Sequence, residues 1–173
     1  LRPVPGRMEL IPLGKGAKSD GLLVIVDYAH TPDALQKTLQ AIRPIADQRH
    51  GKIWCVFGCG GDRDTGKRAQ MGAVAQNLAN HIIITSDNPR SEDPQVIMNM
   101  IKSGTSDGAE NIQMIADRAA AIMAAVRHAD IHDIVLVAGK GHETSQEING
   151  KKFDFSDQEH ILLDRKSTRL NSS

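Results

Sequence analysis

The segment LLVIVDYAHTP, Leu22–Pro32, begins as an apolar run and turns polar at Asp27. An apolar run of this length predicts a β-strand at Leu22–Val26 that is covered on both faces, as strands of parallel sheets are. Thr31 is a good N-cap and Pro32 suits the first helical position, so a helix is expected directly after the strand. Apolar residues then continue at helical spacing along one face: Leu35, Leu39, Ile42 and Ala46.

The same unit, a buried strand followed by a helix, recurs along the chain. Helices are expected from near Lys67, from near Pro94 and from the N-cap Asp117 to about Ala129. This alternation implies right-handed crossovers and predicts a Rossmann-like three-layer α/β domain, with helices on both faces of a mainly parallel sheet. The further predicted strands are Ile53–Phe57, His81–Thr85, Asn111–Ile115 and Ile134–Ala138.

The pattern changes after the last of these strands. Asn149-Gly150 separates Ser145–Ile148 from Lys152–Phe155, which is a strong signal for a β-hairpin. We expect this hairpin to supply a C-terminal antiparallel edge, and Ser156 to cap a last helix.

Composition excludes several classes of protein. The chain has 173 residues, 40% of them hydrophobic, which suits one globular domain. Its 21 basic and 21 acidic residues give no net charge, so the basic field of a nucleic-acid-binding protein is missing. No apolar run is long enough to span a membrane, and two cysteines make no disulfide framework. We therefore expect a cytoplasmic domain without nucleic-acid or membrane partners, and we expect it to be monomeric.

Residues that could bind a ligand or take part in a reaction follow the carboxyl ends of four predicted strands. The loops are Asp27–Thr31, Gly58–Asp64, Asp87–Arg90 and Gly139–Glu143. In open parallel α/β sheets this edge is where ligands bind. Because the loops mix acidic and basic residues, the edge suits a zwitterionic ligand, or a nucleotide together with a charged second substrate.

Simpler interpretations exist for several of these residues. The loop Gly58–Asp64 departs from a dinucleotide-binding loop because Arg63 occupies the sixth position, and Gly14–Ser19 lacks the spacing of a Walker phosphate loop. Cys55, Cys59 and His50 could suggest a metal cluster, but Cys55 falls inside a predicted buried strand, so a core role is favoured.

Histidines and turns in these loops also have plain structural interpretations. His30 and His142 could be ordinary loop histidines, and Asp87–Arg90 could be a turn with a solvated Arg90.

Taken together, the motifs resemble the C-terminal domain of the Mur ligases, and most of all the members that add meso-diaminopimelate. The resemblance covers the chain up to Arg165 and rests on motifs in family order. They are Gly6–Glu9 (GRME), Val26–Pro32 (VDYAHTP), Phe57–Asp64 (FGCGGDRD), Asp87–Arg90 (DNPR) and Gly139–Glu143 (GKGHE).

The resemblance implies an ATP-dependent amide ligase of peptidoglycan synthesis. In that family ATP phosphorylates the D-glutamate carboxylate of UDP-MurNAc-L-Ala-D-Glu, and the amine of the incoming amino acid attacks the acyl phosphate. The phosphate loop and the Mg²⁺ ligands lie in preceding domains, so no catalytic or metal-binding residue is expected here. Residues 1–20 would be a linker from a central ATPase domain, 21–165 the amino-acid-binding domain and 166–173 a non-native tail.

Two groups of binding residues carry over by similarity. The positions that hold meso-diaminopimelate in the family match Arg63, Asp87, Asn88, Pro89, Arg90, Gly139 and Glu143. The positions on the ATP side match Arg7, Asp27, Tyr28, His30 and Thr31.

Two alternatives stay open at this point. A lysine-adding homologue would need no cation for a second carboxylate, so Arg90 favours meso-diaminopimelate on charge grounds. A non-catalytic module that binds an amino acid or a nucleotide is the second alternative.

Overall fold

A computed structural model describes residues 7–13 and 21–162 of the chain. Strands and helices alternate through most of this range, and residues 157–162 are helical at its end. In chain order the elements are β1 Glu9–Ile11, β2 Leu23–Asp27, α1 Pro32–Gln48, β3 Ile53–Phe57, α2 Gly66–Leu78, β4 His81–Ile84, α3 Pro94–Lys102, β5 Ile112–Met114, α4 Arg118–His128, β6 Ile134–Ala138, β7 Ser145–Ile148 and β8 Lys151–Asp154.

Six strands form one sheet in the order β1-β2-β6-β3-β4-β5. All neighbours pair in parallel except β1 and β2. β6 is inserted between β2 and β3, although it follows both in sequence. The loop after β6 therefore emerges between the loops that follow β2 and β3, which concentrates the predicted site residues at one edge.

Each face of the sheet has its own apolar core. One core packs α1, α2 and α3 against alternate residues of the strands, with Leu39, Met71 and Ile101 almost fully buried. The other packs α4 and the helical residues 157–162 against the opposite face, through Ile122 and Ile161. The predicted three-layer α/β architecture is confirmed.

The predicted helix starts are also present. Thr31 Oγ1 accepts a hydrogen bond from Ala34 N at 3.2 Å and Pro32 begins α1. Asp117 Oδ1 accepts from Ala119 N at 3.0 Å at the start of α4. Ser156 Oγ accepts from Glu159 N at 3.3 Å, as expected for the cap of the last helix.

The structure differs from the sequence prediction at the antiparallel edge. The hairpin β7–β8 forms a separate two-stranded sheet, and β1, which was not predicted, is the antiparallel edge strand of the main sheet. The hairpin is held instead by the loop after β4, where Arg90 bridges Ile148. Arg90 N donates to Glu147 O at 2.9 Å and Asn149 N donates to Arg90 O at 2.7 Å.

Some predictions concern residues outside the described part of the chain. These are the linker at 1–6 and 14–20, the end of the last helix and the tail at 166–173. No helix among residues 7–13 and 21–162 is long and apolar enough to cross a membrane.

Candidate functional site

A cavity of about 380 Å³ opens at the edge of the sheet where β2, β3, β4 and β6 end. It brings together residues from four separate loops, as the strand order requires. Six of the residues predicted to bind the amino acid line it: Arg63, Asp87, Asn88, Arg90, Gly139 and Glu143.

Residues predicted on the ATP side divide into two groups. Tyr28 and His30 line the same cavity, with their rings in edge-to-face contact at 4.7 Å. Arg7, Asp27 and Thr31 do not line it. Arg7 is exposed, and Thr31 acts as the N-cap of α1.

Asp27 is buried and used internally. Its Oδ1 accepts from Met8 N at 2.8 Å, and its Oδ2 accepts from Ala29 N at 2.9 Å and from Thr38 Oγ1 at 3.1 Å. These bonds join β1, the turn after β2 and helix α1. The carboxylate of Asp27, which was predicted on the ATP side, therefore already accepts three hydrogen bonds within this chain.

The buried end of the cavity is acidic. Asp87 is 7% exposed, and its Oδ1 lies 3.3 Å from the ammonium group of Lys140. Asp87 also lines the cavity, so its carboxylate could receive an ammonium group of a ligand there. Glu143 contributes a second carboxylate to the same wall.

Lys140 lies behind these two carboxylates and is fully buried. Its Nζ is 3.3 Å from Asp87 Oδ1 and 3.7 Å from Glu143 Oε2. The sequence analysis did not single it out, although it belongs to the motif Gly139–Glu143. A lysine directly after a buried strand was the signal available, since lysines are seldom buried without a charged partner.

The orientation of the Asn88 amide is set by its neighbours. Asn88 Oδ1 accepts from Lys140 Nζ at 3.0 Å and from Glu147 N at 2.9 Å. Because both partners are donors, the carbonyl must face them and the Nδ2 group must face the other way. Nδ2 donates to Glu143 Oε2 at 3.3 Å and is placed to donate to an anion in the cavity.

Arg90 is held in position before any ligand arrives. Its backbone is left-handed, with φ 53°, and its side chain is about four-fifths buried. Nη1 donates to Gly61 O at 2.9 Å, and Nε lies 3.5 Å from Glu147 Oε2. Two donor groups are therefore occupied, and the remaining face of the guanidinium lines the cavity.

Pro89, the remaining predicted residue, supports the site from behind. It is buried and does not line the cavity. A side chain on Gly61 would meet the Pro89 carbonyl oxygen, because its Cβ would lie 1.8 Å from that atom. Glycine at position 61 therefore lets the loop after β3 and the loop after β4 lie against each other.

Gly139 opens space next to the acidic end. Its φ of 115° is unfavourable for any other residue, and a Cβ there would lie 3.8 Å from Asp87 Oδ2. A side chain at this position would occupy the volume that a ligand needs beside Asp87.

An ion pair braces the glycine-rich loop. Arg68 is 1% exposed and forms two parallel bonds to the Glu92 carboxylate, at 2.8 Å and 2.9 Å. Arg68 Nη2 also donates to Gly60 O at 3.0 Å, and Asp62 N donates to Glu92 Oε1 at 2.8 Å. These bonds fix the loop that carries Arg63. The hydrogen bond from Arg68 lowers the pKa of Glu92, which keeps it ionised.

The cavity wall also includes residues that the sequence analysis did not select. They are Cys59, Gly60, Asp64, Lys67 and Met71. Burial, with the charge of Asp87 adding to it, raises the pKa of the Cys59 thiol to about 12. Cys59 is therefore a neutral wall residue whose Sγ lies 3.6 Å from Met71 Sδ, and it is a poor nucleophile.

Metal binding has no support in the described residues. Within 7–13 and 21–162, no group of three or more His, Cys, Asp or Glu residues is arranged to hold a metal ion. Cys55, considered with Cys59 and His50, is fully buried inside β3, and burial raises the pKa of its thiol to about 12. The core role favoured for Cys55 is confirmed.

The arrangement as a whole suits a ligand with both charges. Asp87 and Glu143 can receive an ammonium group, while Asn88 Nδ2 and the free face of Arg90 can receive a carboxylate. Arg63 and Lys67 add cations at the exposed rim.

Curated relatives match almost all of this chain. It is 63% identical over 163 residues to a protein of Ralstonia nicotianae named UDP-N-acetylmuramoyl-L-alanyl-D-glutamate--2,6-diaminopimelate ligase. It is 55% identical over 160 residues to a protein of the same name from an Acidovorax species. The matches cover 94% and 92% of this chain but 30% and 31% of the relatives, so the chain spans about a third of their length.

A solved structure and a family model agree with these relatives. The structure, of a UDP-N-acetylmuramoyl-L-alanyl-D-glutamate--2,6-diaminopimelate ligase, superposes with a TM-score of 0.82 at 43% identity, over 96% of this chain and 32% of that one. The family model described as Mur ligase, glutamate ligase domain, matches residues 6–141. The chain therefore belongs to the Mur ligase family, as its glutamate ligase domain.

Proposed function

We propose that this chain is the amino-acid-binding domain of a ligase that adds meso-diaminopimelate to UDP-MurNAc-L-Ala-D-Glu. The complete enzyme would work in the cytoplasm, in the synthesis of peptidoglycan precursors, at the expense of ATP. The names of the relatives support this substrate, and so does the charge pattern of the cavity.

The observation that carries the proposal is the pairing of opposite charges within one cavity. The carboxylates of Asp87 and Glu143 line the cavity beside the guanidinium of Arg90, of which Nη1 is bonded to Gly61 O. meso-Diaminopimelate has an ammonium and a carboxylate group at each end, so one end could satisfy both residues at once. A guanidinium can bind a carboxylate through two parallel hydrogen bonds, which lysine as a substrate could not use at its distal carbon.

In the reaction, the domain would hold the incoming amine for attack. The D-glutamate carboxylate first receives the γ-phosphoryl group of ATP, which makes a good leaving group of one carboxylate oxygen. The nitrogen of the amino acid then bonds to the acyl carbon, phosphate leaves and the nitrogen loses a proton. Holding the amino acid at its far end supplies orientation, which lowers the entropic part of the barrier.

The nucleotide would bind on the side of the cavity formed by the loop after β2. Tyr28 and His30 are the candidates that line the cavity. Arg7 is exposed and lies just before strand β1. Mg²⁺ would accompany ATP. Since residues 7–13 and 21–162 offer no group arranged for a metal ion, we assign no magnesium ligand to them.

A complete ligase that carries this domain tests the proposal. ADP release should depend on UDP-MurNAc-L-Ala-D-Glu and on meso-diaminopimelate together. Lysine should be at least about 10²-fold less efficient, because it loses two parallel charge-assisted hydrogen bonds that contribute about 1.5–3 kcal/mol each. Equal efficiency with lysine would favour the lysine-adding alternative. Amino-acid binding without ADP release under any combination of substrates would favour a non-catalytic module.

A further inference from the structure

Lys140 is a charged residue next to the site to which the proposed function assigns no role. It is fully buried and does not line the cavity, so it cannot touch a ligand there. Its Nζ nevertheless contacts both Asp87 and Glu143. It also donates to Ser145 O at 3.0 Å, at the start of the hairpin.

The charges around Lys140 do not cancel. Asp87 and Glu143 contribute two carboxylates, and Lys140 contributes one ammonium group. Arg118 lies near both carboxylates but is paired with the buried Asp157, and the raised pKa of Cys59 keeps that thiol neutral. On the far side, Arg90 is matched by Glu147. One negative charge is left over at the buried end, which is the charge that a single ligand ammonium group would balance.

The same lysine also determines which group Asn88 presents. Lys140 Nζ and Glu147 N both donate to Asn88 Oδ1, so the amide nitrogen faces the cavity as a donor. Without Lys140, Glu147 N is the one remaining donor to Asn88 Oδ1 among the described contacts, so the amide is held less firmly against reversal. A reversed amide would present its oxygen to the ligand carboxylate. An acceptor facing a carboxylate is repulsive.

We propose that Lys140 is a positioning residue for the amino-acid substrate, which it serves by holding Asp87 as the ammonium acceptor and Asn88 as a carboxylate donor. This inference rests on the proposed function, because the substrate is the one assigned there. It adds a residue that acts through the binding residues and does not touch the substrate.

A purely structural role for Lys140 predicts a different kinetic result. If the lysine served only to tie the hairpin to the sheet through Ser145 O, its loss would lower the fraction of active enzyme. kcat would then fall, while the Michaelis constants for all three substrates would stay unchanged. A positioning role raises the Michaelis constant for meso-diaminopimelate and leaves that for ATP unaltered.

The test uses the complete ligase with the variants Lys140→Met, Lys140→Gln and Lys140→Arg. We expect Lys140→Met to raise the Michaelis constant for meso-diaminopimelate about tenfold or more, as the loss of a charge-assisted contact would. Lys140→Gln keeps a donor without the charge and is the second measurement if the methionine variant does not fold. Lys140→Arg keeps the charge and should recover part of the affinity.

Lys37→Met is the matched control, because Lys37 also forms an ion pair, at 3.0 Å to Asp33, but is 74% exposed on α1. It should leave all Michaelis constants unchanged. Wild-type constants for meso-diaminopimelate in a folded Lys140→Met or Lys140→Gln variant would overturn the inference. The wild-type ligase is measured before any variant. If it does not use meso-diaminopimelate, that result contradicts the proposed function itself and not only the role of Lys140.

Discussion

Single residues determine the charge of the cavity. Among them, Arg90 depends on Glu147 for the position of its guanidinium group. Its left-handed backbone is stabilised by hydrogen bonds to Glu147 O and from Asn149 N, and its Nε lies beside the Glu147 carboxylate. A non-glycine residue with positive φ is uncommon, and such strain persists where surrounding contacts determine it. The hairpin therefore fixes the direction of the guanidinium.

This dependence predicts a measurable effect of Glu147. In the complete ligase, Glu147→Ala should raise the Michaelis constant for meso-diaminopimelate severalfold, because an arginine with more rotamers pays entropy on binding, roughly 0.5–1.5 kcal/mol for such a side chain. kcat should change little. Lys151→Ala, an exposed position on the same hairpin, is the control. A Michaelis constant equal to that of the control would show that Arg90 needs no support from Glu147.

The sequence indicates which residues lie near one another more readily than it indicates their hydrogen-bond partners. Charge and order placed Asp87, Asn88, Arg90 and Glu143 at one sheet edge, and the cavity brings them together. Asp27 was predicted on the ATP side, and its hydrogen bonds from Met8, Ala29 and Thr38 were not anticipated. A sequence gives a residue's chemical type, but its hydrogen-bond partners depend on long-range packing.

At the scale of elements, a buried ion pair ties the last helix to the carboxyl edge of the sheet. Arg118, at the start of α4, and Asp157 are both fully buried and bonded at 2.8 Å and 2.9 Å. Arg118 also donates to Ser86 O and Ala138 O, at the ends of β4 and β6. The pair therefore holds the backbone from which the loops of the site begin.

Breaking that pair should destabilise the domain strongly. Asp157→Ala leaves a guanidinium buried without its partner, which typically costs about 3–5 kcal/mol. Urea unfolding followed by circular dichroism would measure it, with Asp154→Ala on the exposed strand β8 as the control. A loss of less than about 1 kcal/mol would mean that the helix at 157–162 contributes little to the fold.

A second set of hydrogen bonds joins the amino ends of β3 and β6, at the edge of the sheet opposite the cavity. Asp133 is 6% exposed and accepts from Lys52 N at 2.8 Å, from Asp130 N at 2.8 Å and from Trp54 Nε1 at 3.0 Å. Burial alone would raise the pKa of Asp133, but these hydrogen bonds outweigh it and lower the pKa below its ordinary value.

The lowered pKa of Asp133 makes its contribution to stability depend on pH. The contribution is complete above the unfolded value, about 3.9, and disappears as pH falls through the lower folded value. The free energies of unfolding of wild type and Asp133→Asn should therefore differ most at neutral pH, and the difference should shrink as pH falls below the unfolded value. Asp107→Asn, exposed in a loop, is the control. A difference that stays constant across this range would contradict the assignment.

Elements were predicted well where their signal is local. Caps at Thr31 and Asp117 and apolar runs such as Ile53–Phe57 and Ile134–Ala138 gave the strand and helix positions. The strand β1 was missed because three residues, Glu9–Ile11, carry no periodicity, and its pairing with β2 is long-range. The hairpin turn at Asn149-Gly150 was found, whereas its docking on Arg90 depends on contacts that local sequence does not encode.

At the scale of the whole molecule, this chain holds one wall of the proposed reaction site. The chain spans about a third of the length of its curated relatives. Holding an amino acid at one edge provides orientation but no phosphoryl transfer.

The chain by itself should therefore fold without catalysing ligation. We expect cooperative urea unfolding, no ADP release that depends on meso-diaminopimelate, and ATP affinity weaker than micromolar by calorimetry. Tyr28 and His30 offer few contacts to a nucleotide, and the Asp27 carboxylate is already hydrogen-bonded. Micromolar ATP binding or amino-acid-dependent ADP release by this chain alone would contradict this expectation.

The central claim, that this cavity selects meso-diaminopimelate through Arg90, is tested most directly by the substrate preference of the complete ligase. Steady-state kinetics with meso-diaminopimelate and with lysine would compare wild type, Arg90→Ala and Arg90→Lys. We predict that Arg90→Ala lowers the preference by about 10²-fold through the Michaelis constant for meso-diaminopimelate, with that for ATP unchanged. Arg90→Lys should recover it in part, because an ammonium group lacks the planar fork. An unchanged preference in Arg90→Ala would contradict the claim and return Arg90 to the role of a turn residue.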